Sequence, residues 1–419
     1  MKMTVAALSL GAAFVAVPAA AQMYNAPQAA PQAVDRPQAE DKDTSKEPQL
    51  RPSNGALKPI IDLQNSVNAN DYASVPAKVA AASKVAKTPV DRYLIAQLQL
   101  KAALAAKDNA GMATAIDAVA ASGYLDKAKT AELYQSLGAT FYNAKQLDLA
   151  GSALEKAVAA NPGDAQSLIM LGETRNAQGR KPEAVSLFQR ALQASSAGGT
   201  KPEEKLYKRA VSIAYDAKQP AAIDLARQWV AAYPSTESWR NSIAIFRNLS
   251  SQDVEGTLDL LRLMQAAGAL TSPADYNLFA TAAADQANYP EAQAVIDAGI
   301  AAKQVDPTSP LFRDTIAGLR AKPKLTDAAL AEAVKSATTG QALVRVGDRA
   351  YGMGQYAKAA ELYRQGIAKG VTDANVANLH LGMALARSGD KAGATAAFNA
   401  VTGQRADIAK YWLLYVNSH

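Results

Sequence analysis

Between residues 131 and 164, apolar and polar positions alternate with the period of an α-helix on both sides of a short polar turn. Counting from Ala131, large apolar residues stand at positions 4, 7, 11 and 24, small residues stand at positions 8, 20 and 27, and Pro162 ends the stretch. Apolar residues three or four apart share one face of a helix, so the pattern predicts two amphipathic helices. The small residues would allow these two helices to pack closely as a hairpin.

The same pattern recurs along most of the chain. Weaker forms begin at residue 56, and clear copies follow at residues 165–198, 203–234, 273–306, 340–373 and 375–406. Residues 237–269 and 308–339 keep a helical period but are degenerate, since they lose the small residues, and Pro310 and Pro323 interrupt the second segment. Residues 407–419 read as a single closing helix. A hairpin of this kind cannot bury both of its faces alone, so repeated copies predict a stack.

A unit of about 34 residues with this spacing resembles the tetratricopeptide repeat (TPR), as found in exported bacterial TPR proteins. The resemblance rests on residues such as Gly138, Phe141, Ala150 and Ala157, and on their equivalents in the other copies. It implies an all-α fold, an α-solenoid of about eight to nine TPR-like helical hairpins over residues 56–419 with a C-terminal capping helix. It also implies that positions 8 and 20 lie where the two helices of one unit cross, and that position 27 meets the next unit.

The N-terminus has the pattern of a targeting segment. Lys2 precedes an apolar run, Pro18 interrupts that run, and small residues lead to Ala21. This order is typical of a secretory signal peptide, which we predict over residues 1–21, with an uncleaved membrane anchor as the alternative. Residues 22–55, rich in Pro, Gln and Ala and then in charge, predict a disordered tether because they contain few large apolar residues. Export predicts the periplasm of a Gram-negative bacterium as the location.

The amino-acid composition limits the kinds of catalytic and metal sites that the chain can form. The chain has no cysteine, which excludes disulfides and thiolate metal sites, and only two histidines, which leaves little room for histidine-based metal sites or catalytic triads. His380, at position 6 of its repeat, is predicted to be a partly exposed helix residue. The net charge of +6 is scattered, and no dense basic cluster indicates nucleic acid. We therefore predict no enzyme activity, no cofactor and no metal, although a carboxylate pair meeting across neighbouring hairpins remains an alternative.

The resemblance also implies a binding surface. In TPR proteins the first helices of successive units line a concave groove, and positions 2, 5, 9, 12 and 13 point into it. Tyrosine offers contact area with a polar tip, and asparagine can pair with a peptide backbone, which suits an extended ligand. The alternative is that these are ordinary exposed helix residues. The candidate groove residues are Gln135, Tyr142, Asn143, Gln166, Glu173, Asn176, Tyr207, Tyr215, Asn277, Asp285, Asp348, Tyr351, Met383 and Arg387.

These features predict a non-enzymatic periplasmic scaffold. It would bind a segment of another protein in the groove, as part of an envelope or secretion assembly. The alternative function is a glycan-binding accessory of exopolysaccharide or cell-wall export, because grooves lined with tyrosine also suit sugars. The expected partners are therefore proteins or peptide segments, or a polysaccharide in the alternative. Neither nucleic acid nor stable membrane insertion after signal cleavage is expected.

Overall fold

The computed structural model describes residues 50–419, and this part of the chain consists of α-helices, two short 3-10 turns and the connections between them, with no β-strand. The predicted all-α, helical-repeat solenoid fold is therefore confirmed. The predicted signal peptide and nearly all of the predicted tether lie outside the described residues. None of the helices within residues 50–419 has both the length and the apolar character that crossing a membrane requires. The helices fall into two compact units, which divide between Thr200 and Lys201.

The first unit contains four helical hairpins. Its helices are α1 (Asn54–Asn68), α2 (Val75–Val85), α3 (Pro89–Ala106), α4 (Asn109–Ala121), α5 (Lys127–Asn143), α6 (Leu147–Ala160), α7 (Ala165–Ala177) and α8 (Lys181–Ser196). Aspartates begin several of them, since the Asp126 and Asp164 side chains accept hydrogen bonds from backbone N–H groups in the first turns of α5 and α7. The turn inside a hairpin uses one residue with positive φ, Lys145 between α5 and α6 and Gly179 between α7 and α8.

The α5–α6 hairpin shows why small residues recur. Tyr134, Leu137 and Phe141 are buried on α5, and Gly138 lies against α6. A Cβ atom on Gly138 would lie 2.8 Å from Cδ2 of Leu154, closer than real side chains approach. Position 8 therefore meets the second helix of its own unit, as the repeat pattern predicts.

Asp91 ties the first hairpin to the second. Its carboxylate is fully buried and accepts hydrogen bonds from Ser53 N at 2.7 Å, Ser53 Oγ at 2.8 Å, and the backbone N–H groups of Lys87 and Thr88 at 3.0 Å. Burial alone would raise the pKa of Asp91, but these four donors outweigh it and hold the pKa far below its usual value. Because Ser53 is the residue just before α1, the carboxylate fixes the point where the helical part of the chain begins.

The second unit contains thirteen helices. They are α9 (Glu204–Asp216), α10 (Ala221–Ala232), α11 (Thr236–Leu249), α12 (Val254–Ala266), α13 (Pro273–Asp285), α14 (Tyr289–Ala301), α15 (Pro310–Arg320), α16 (Asp327–Ser336), α17 (Gly340–Gly352), α18 (Tyr356–Lys369), α19 (Ala374–Ser388), α20 (Lys391–Asn399) and α21 (Ala406–Ser418). Regular hairpins are formed by α9–α10, α13–α14, α17–α18 and α19–α20.

Helix α12, from the first degenerate segment, is buried on all sides. Every residue from Leu258 to Met264 is buried, including Asp259 and Arg262. It packs against α11, α13 and α21 rather than only against its sequence neighbour α11. A helix covered all round belongs to the interior of a domain, so this degenerate segment supplies a central helix of the second unit.

The second degenerate segment forms an opened hairpin. Helix α14 packs directly on α17, whereas α15 packs on α13 and α14, and α16 packs on α17. The two helices of this segment therefore contact their neighbours more than they contact each other. The chain between them, which includes Lys324 and Leu325, passes beside the α14–α17 contact and forms part of a cavity there.

The closing helix α21 does more than cover the last repeat. It packs against α20, and also against α10 and α12 near the start of the unit. Arg227 Nη1 lies 2.9 Å from Asp407 Oδ1, and the hydroxyls of Ser242 and Tyr411 are 2.9 Å apart. The second unit is therefore closed by contacts between residues about 170 positions apart, which suits a single cooperative body.

One packing prediction is wrong in the α17–α18 hairpin. Gly366 stands at position 27 and was expected to meet the next unit. A Cβ atom there would lie 2.9 Å from the carbonyl oxygen of Gly340 and 3.0 Å from a methyl group of Val344, which both belong to α17 of the same unit. The reason is the close approach of the α17 N-terminus to α18, where glycines replace side chains on both helices.

Replacing Gly340 by alanine tests this contact. The new methyl group would overlap the carbonyl oxygens of Gly366 and Gly370, and backbone atoms cannot move aside as side chains do. We expect a loss of about 1–3 kcal/mol in the free energy of unfolding, measured with urea. The matched control is Gly318→Ala, on the exposed face of α15 with no neighbour within 4 Å, which should gain about 0.5–1 kcal/mol. Equal effects of the two changes would contradict the proposed contact.

Candidate functional site

Two candidate groove residues of the late repeats, Asp348 and Tyr351, lie beside α12 of the same chain. The ring of Tyr351 on α17 lies 5.1 Å from the guanidinium carbon of Arg262, and Tyr351 is only 4% exposed. Asp348, also on α17, lies 2.8 Å from Nδ1 of His380 on α19, whose Nε2 lies 3.2 Å from Asp259 of α12. Both residues were predicted to line a partner-binding groove, and in the structure they contact α12 directly or through His380.

A network of buried charges joins α12 to the helices around it. We call Asp259, Arg262, Glu291, Asp348 and His380 the ion network. Arg262 donates to both oxygens of Glu291, at 2.8 and 2.7 Å, and to Asp259 at 3.0 Å. Burial lowers the pKa of Arg262, but the two carboxylates outweigh it and raise that pKa well above its ordinary value. The network therefore consists of mutually compensated charges, as buried ions require.

His380 is fully enclosed in this network, and its predicted partial exposure is wrong. Its side chain is 2% exposed, because α12 covers the face of α19 that a regular repeat would leave open. Burial would lower the pKa of His380, but Asp259 and Asp348 outweigh it and raise the pKa to about 10. The pKa of Asp348, raised by burial, is lowered overall by His380 and Arg262 and by the hydroxyl of Tyr363 at 2.8 Å.

The ion network contains the residue types of an acid–base catalytic site, but its histidine is not in the neutral form that a general base requires. A histidine whose pKa is near 10 is protonated at neutral pH and cannot accept a proton as a general base. Asp259 of α12 and Asp348 of α17 lie on opposite nitrogens of the His380 ring, so the imidazolium engages both carboxylates. Within residues 50–419, no three His, Asp or Glu side chains are grouped so that they could hold a metal ion.

Several other candidates of the second unit offer little surface. Met383 is 1% exposed, and Tyr207 is 8% exposed with its ring 6.1 Å from that of Tyr233. The guanidinium carbon of Arg387 lies 4.6 Å over the ring of Tyr356. Asn277 is half-buried, while Asp285 at the end of α13 is exposed. The structure thus leaves most of these side chains in intramolecular packing.

The first unit keeps more of its candidates accessible. Asn143 and Gln166 are exposed, and Tyr142, Glu173 and Asn176 are half-buried. Gln135 has a structural role instead, because it donates to Asp164 at 2.9 Å and to Ser167 at 3.1 Å. Those two residues begin α7, so Gln135 joins one repeat to the next.

A cleft opens between α9 and α11 in the second unit. Its volume is about 380 Å³. Tyr215 stands in its wall and accepts a hydrogen bond from Asn248 at 2.9 Å, and Lys208 and Glu237 pair at 2.9 Å at its edge. We call this the α9–α11 cleft, and its lining residues are Lys208, Val211, Ser212, Tyr215, Trp229, Glu237, Asn241, Ala244, Ile245 and Asn248. Sequence reasoning found Tyr215 but missed the α11 residues, because residues 237–269 lack the small-residue pattern that sets the numbering.

Comparison with known proteins agrees with the repeat pattern. The family model described as tetratricopeptide repeat matches residues 136–199 and 346–408. Comparison with curated proteins gives no match. Among solved structures, the chain is similar to YrrB, described as a TPR protein with an unusual peptide-binding site, at 18% identity over 45% of this chain and 92% of that chain, with a TM-score of 0.30.

Two further solved structures show the same weak similarity. A tetratricopeptide repeat protein from Parabacteroides merdae is 12% identical over 69% of this chain and 98% of that chain, with a TM-score of 0.28. PilF from Pseudomonas aeruginosa is 13% identical over 63% and 97%, with a TM-score of 0.24. TM-scores this low support no conclusion about the function of this chain.

Proposed function

Because the chain is a tetratricopeptide-repeat protein, and TPR repeats indicate a protein–protein interaction scaffold, we propose that it binds a segment of a partner protein in the α9–α11 cleft. We place this non-enzymatic scaffold in the periplasm, within an envelope or secretion assembly. The periplasmic location is supported by the signal-like pattern of residues 1–21. The proposal that the chain is non-enzymatic is supported by its TPR repeats, which generally form non-catalytic scaffolds.

The accessibility of the α9–α11 cleft is the observation on which the binding proposal rests. In the second unit, inner positions further along the chain are covered by α12, whereas Asn241, Ala244 and Asn248 remain exposed on α11. Val211 and Trp229 are buried and supply an apolar base to the cleft, while Ser212 and the two asparagines supply hydrogen-bonding groups. An apolar base with a polar rim is the usual anatomy of a protein interface.

The chemistry of the cleft defines the partner segment. Asparagine side chains have both a donor and an acceptor, so Asn241 and Asn248 can pair with the backbone of an extended peptide. The half-buried Ile245 and the base formed by Trp229 suit one apolar side chain of that peptide. We therefore propose an extended segment with an apolar anchor residue. The exposed Asn143 and Gln166 of the first unit are proposed as additional contacts with the partner.

Site-specific photo-crosslinking in living cells tests this function. A photoreactive amino acid replaces Ala244 in the cleft, or Ala331 on α16 as the control, since both alanines are exposed positions on helices. We expect a discrete adduct with one protein from position 244, recovered in the periplasmic fraction, and none from position 331. Adding Ile245→Arg to the chain that carries the probe should reduce the adduct at least tenfold, because the arginine would fill the cleft.

The same experiment can contradict the proposal. Identical adduct patterns from positions 244 and 331 would show that the cleft has no special role. An adduct that persists with Ile245→Arg would move the binding surface elsewhere. Recovery of the adduct only from the cytoplasm would overturn the periplasmic location.

A further inference from the structure

The two ends of the α9–α11 cleft differ in charge. Lys208 and Glu237 line the end where α9 and α11 begin, and Glu204 lies one turn before Lys208 on α9. The other end is bounded by Tyr215 and Asn248, which are uncharged and hydrogen-bonded to each other. The charged end can therefore select the charge of a segment that binds in the cleft.

Two carboxylates converge on one ammonium group at the charged end. Nζ of Lys208 lies 2.9 Å from Oε2 of Glu237 on the neighbouring helix and 3.4 Å from Oε1 of Glu204. The hydrogen bond to Glu237 raises the pKa of Lys208 and outweighs the effect of burial. Acids in the first turn of a helix commonly compensate the helix dipole, but that role does not require acids of two helices to meet. These three side chains leave one negative charge in excess.

The excess negative charge is accessible from solvent. The side chain of Glu237 is 58% exposed and that of Glu204 is 36% exposed. Glu237 accepts a hydrogen bond from Lys208 on Oε2, and Glu204 accepts one from Nε1 of Trp229 on Oε1, at 3.0 Å. Within residues 50–419, Oε1 of Glu237 and Oε2 of Glu204 accept no hydrogen bond. One oxygen of each carboxylate is therefore open to a donor from a bound segment.

Neighbouring cations are engaged by acids of their own. Nζ of Lys205 lies 2.6 Å from Glu203, and Nη2 of Arg240 lies 3.1 Å from Asp275. These two ion pairs add no net charge to the charged end of the cleft. A basic side chain of a bound segment would therefore be attracted there, whereas an acidic one would be repelled.

We infer that the segment bound in the α9–α11 cleft has a lysine or arginine whose cation pairs with Glu237 and Glu204. This inference rests on the proposed function, because it names the charge of the segment proposed for the same cleft. Glu237 and Ile245, the contact of the apolar anchor, are eight positions apart on α11. Eight positions of helix span about 12 Å, so the basic residue lies about three or four positions from the anchor in an extended segment.

Selection from a phage-displayed library of random dodecapeptides, with the full chain as bait, tests this inference. Peptides that bind the parent chain but not Ala244→Trp depend on the cleft, since the indole fills the cleft without adding charge. We expect these peptides to be enriched in lysine or arginine at the stated spacing from an apolar residue. With Glu237→Lys as bait they should be enriched in aspartate or glutamate instead. The matched control Glu332→Lys, at an exposed glutamate of α16 that pairs with Lys335, should select the same basic peptides as the parent chain.

The affinity of one selected peptide, measured by fluorescence anisotropy, provides the second readout. Glu237→Gln should weaken its binding about fivefold, because the peptide loses an exposed charge pair. Lys208→Gln should strengthen its binding about threefold, because both carboxylates then serve the peptide alone. If Lys208 instead paired with an acidic residue of the partner, Lys208→Gln would weaken the binding.

The outcomes separate this inference from the proposed function. If the library yields no peptide that depends on the cleft, the proposed binding in the cleft fails, and this inference fails with it. If cleft-dependent peptides are found without a basic residue at the stated spacing, only the charge of the segment is overturned. The same holds if Glu332→Lys changes the selection as Glu237→Lys does, or if Lys208→Gln weakens the binding of a basic peptide.

Discussion

Replacing Arg262 by methionine should lower the free energy of unfolding of the second unit by about 3–5 kcal/mol. Arg262 is 2% exposed, and its guanidinium makes bidentate hydrogen bonds to Glu291 and a third to Asp259. Methionine fills similar space but leaves two buried carboxylates without their main cation. The penalty is therefore the cost of uncompensated buried charge rather than the loss of three hydrogen bonds.

A second arginine of this chain makes the same kind of bidentate ion pair at a solvent-exposed position. Arg180 donates to both oxygens of Glu183, at 2.6 and 2.7 Å, with both side chains about half exposed. Arg180→Met should cost no more than about 1 kcal/mol, since solvent screens an exposed pair. The two variants thus compare the same bidentate pair at different burial, by urea unfolding followed through far-UV circular dichroism, which reports on the helices of both units.

Partial rescue identifies the cause of the Arg262 effect. Adding Glu291→Met to Arg262→Met removes the largest uncompensated charge and should recover much of the lost stability. If Arg262→Met costs no more than Arg180→Met, α12 is not held by the ion network. A double variant less stable than the single one would indicate that packing, not charge, is the source.

The repeat pattern predicted the hairpins because their spacing is set by close packing. Gly138, Ala150 and Phe141 occupy the positions that a helix crossing requires, and the structure buries all three. Such contacts are local in sequence, between helices joined by a short turn. The sequence therefore contains both partners of each contact within one unit, and the all-α solenoid fold follows from it.

The packing partners of α12 could not be predicted from the sequence in the same way. Its apolar residues Leu258, Leu260, Leu261 and Leu263 surround the helix rather than forming one stripe, which does indicate burial. The pattern does not identify the partner of each buried charge. Arg262 pairs with Glu291 two helices later, and Asp259 contacts His380 on α19. Long-range pairing of charges has no fixed spacing in the sequence.

The candidate groove residues show the same limit of prediction from the sequence. Position numbering predicted Asp348 and Tyr351 as groove residues, but numbering does not say which helix lies opposite them. In the second unit α12 lies opposite, so those side chains serve the fold. The α9–α11 cleft stays open where α12 does not reach, and only Tyr215 of its lining was accessible to the repeat numbering.

Raising the pH from 7 to 9 should remove about 2–3 kcal/mol from the free energy of unfolding through His380 alone. In the folded chain Asp259 and Asp348 outweigh the effect of burial and raise the pKa of His380 to about 10, from the ordinary histidine value of 6.5 that applies to the unfolded chain. Between these two values the folded chain binds one proton more than the unfolded chain. The contribution is complete below pH 6.5 and is lost as the pH rises through the folded pKa, with a slope of about 1.4 kcal/mol per pH unit.

Direct titration of the imidazole checks the origin of this slope. The chain has only two histidines, so His419→Gln leaves the ring of His380 as the one imidazole signal in the NMR spectrum. That signal should remain in its protonated position up to about pH 8.5. The urea series should stop at about pH 9, because tyrosines of the unfolded chain begin to ionise above it while burial holds the pKa of Tyr363 well above its ordinary value. A His380 signal that titrates between about pH 6 and 7 would show that the imidazole is neutral in the network, and the fall in stability with pH should then be absent as well.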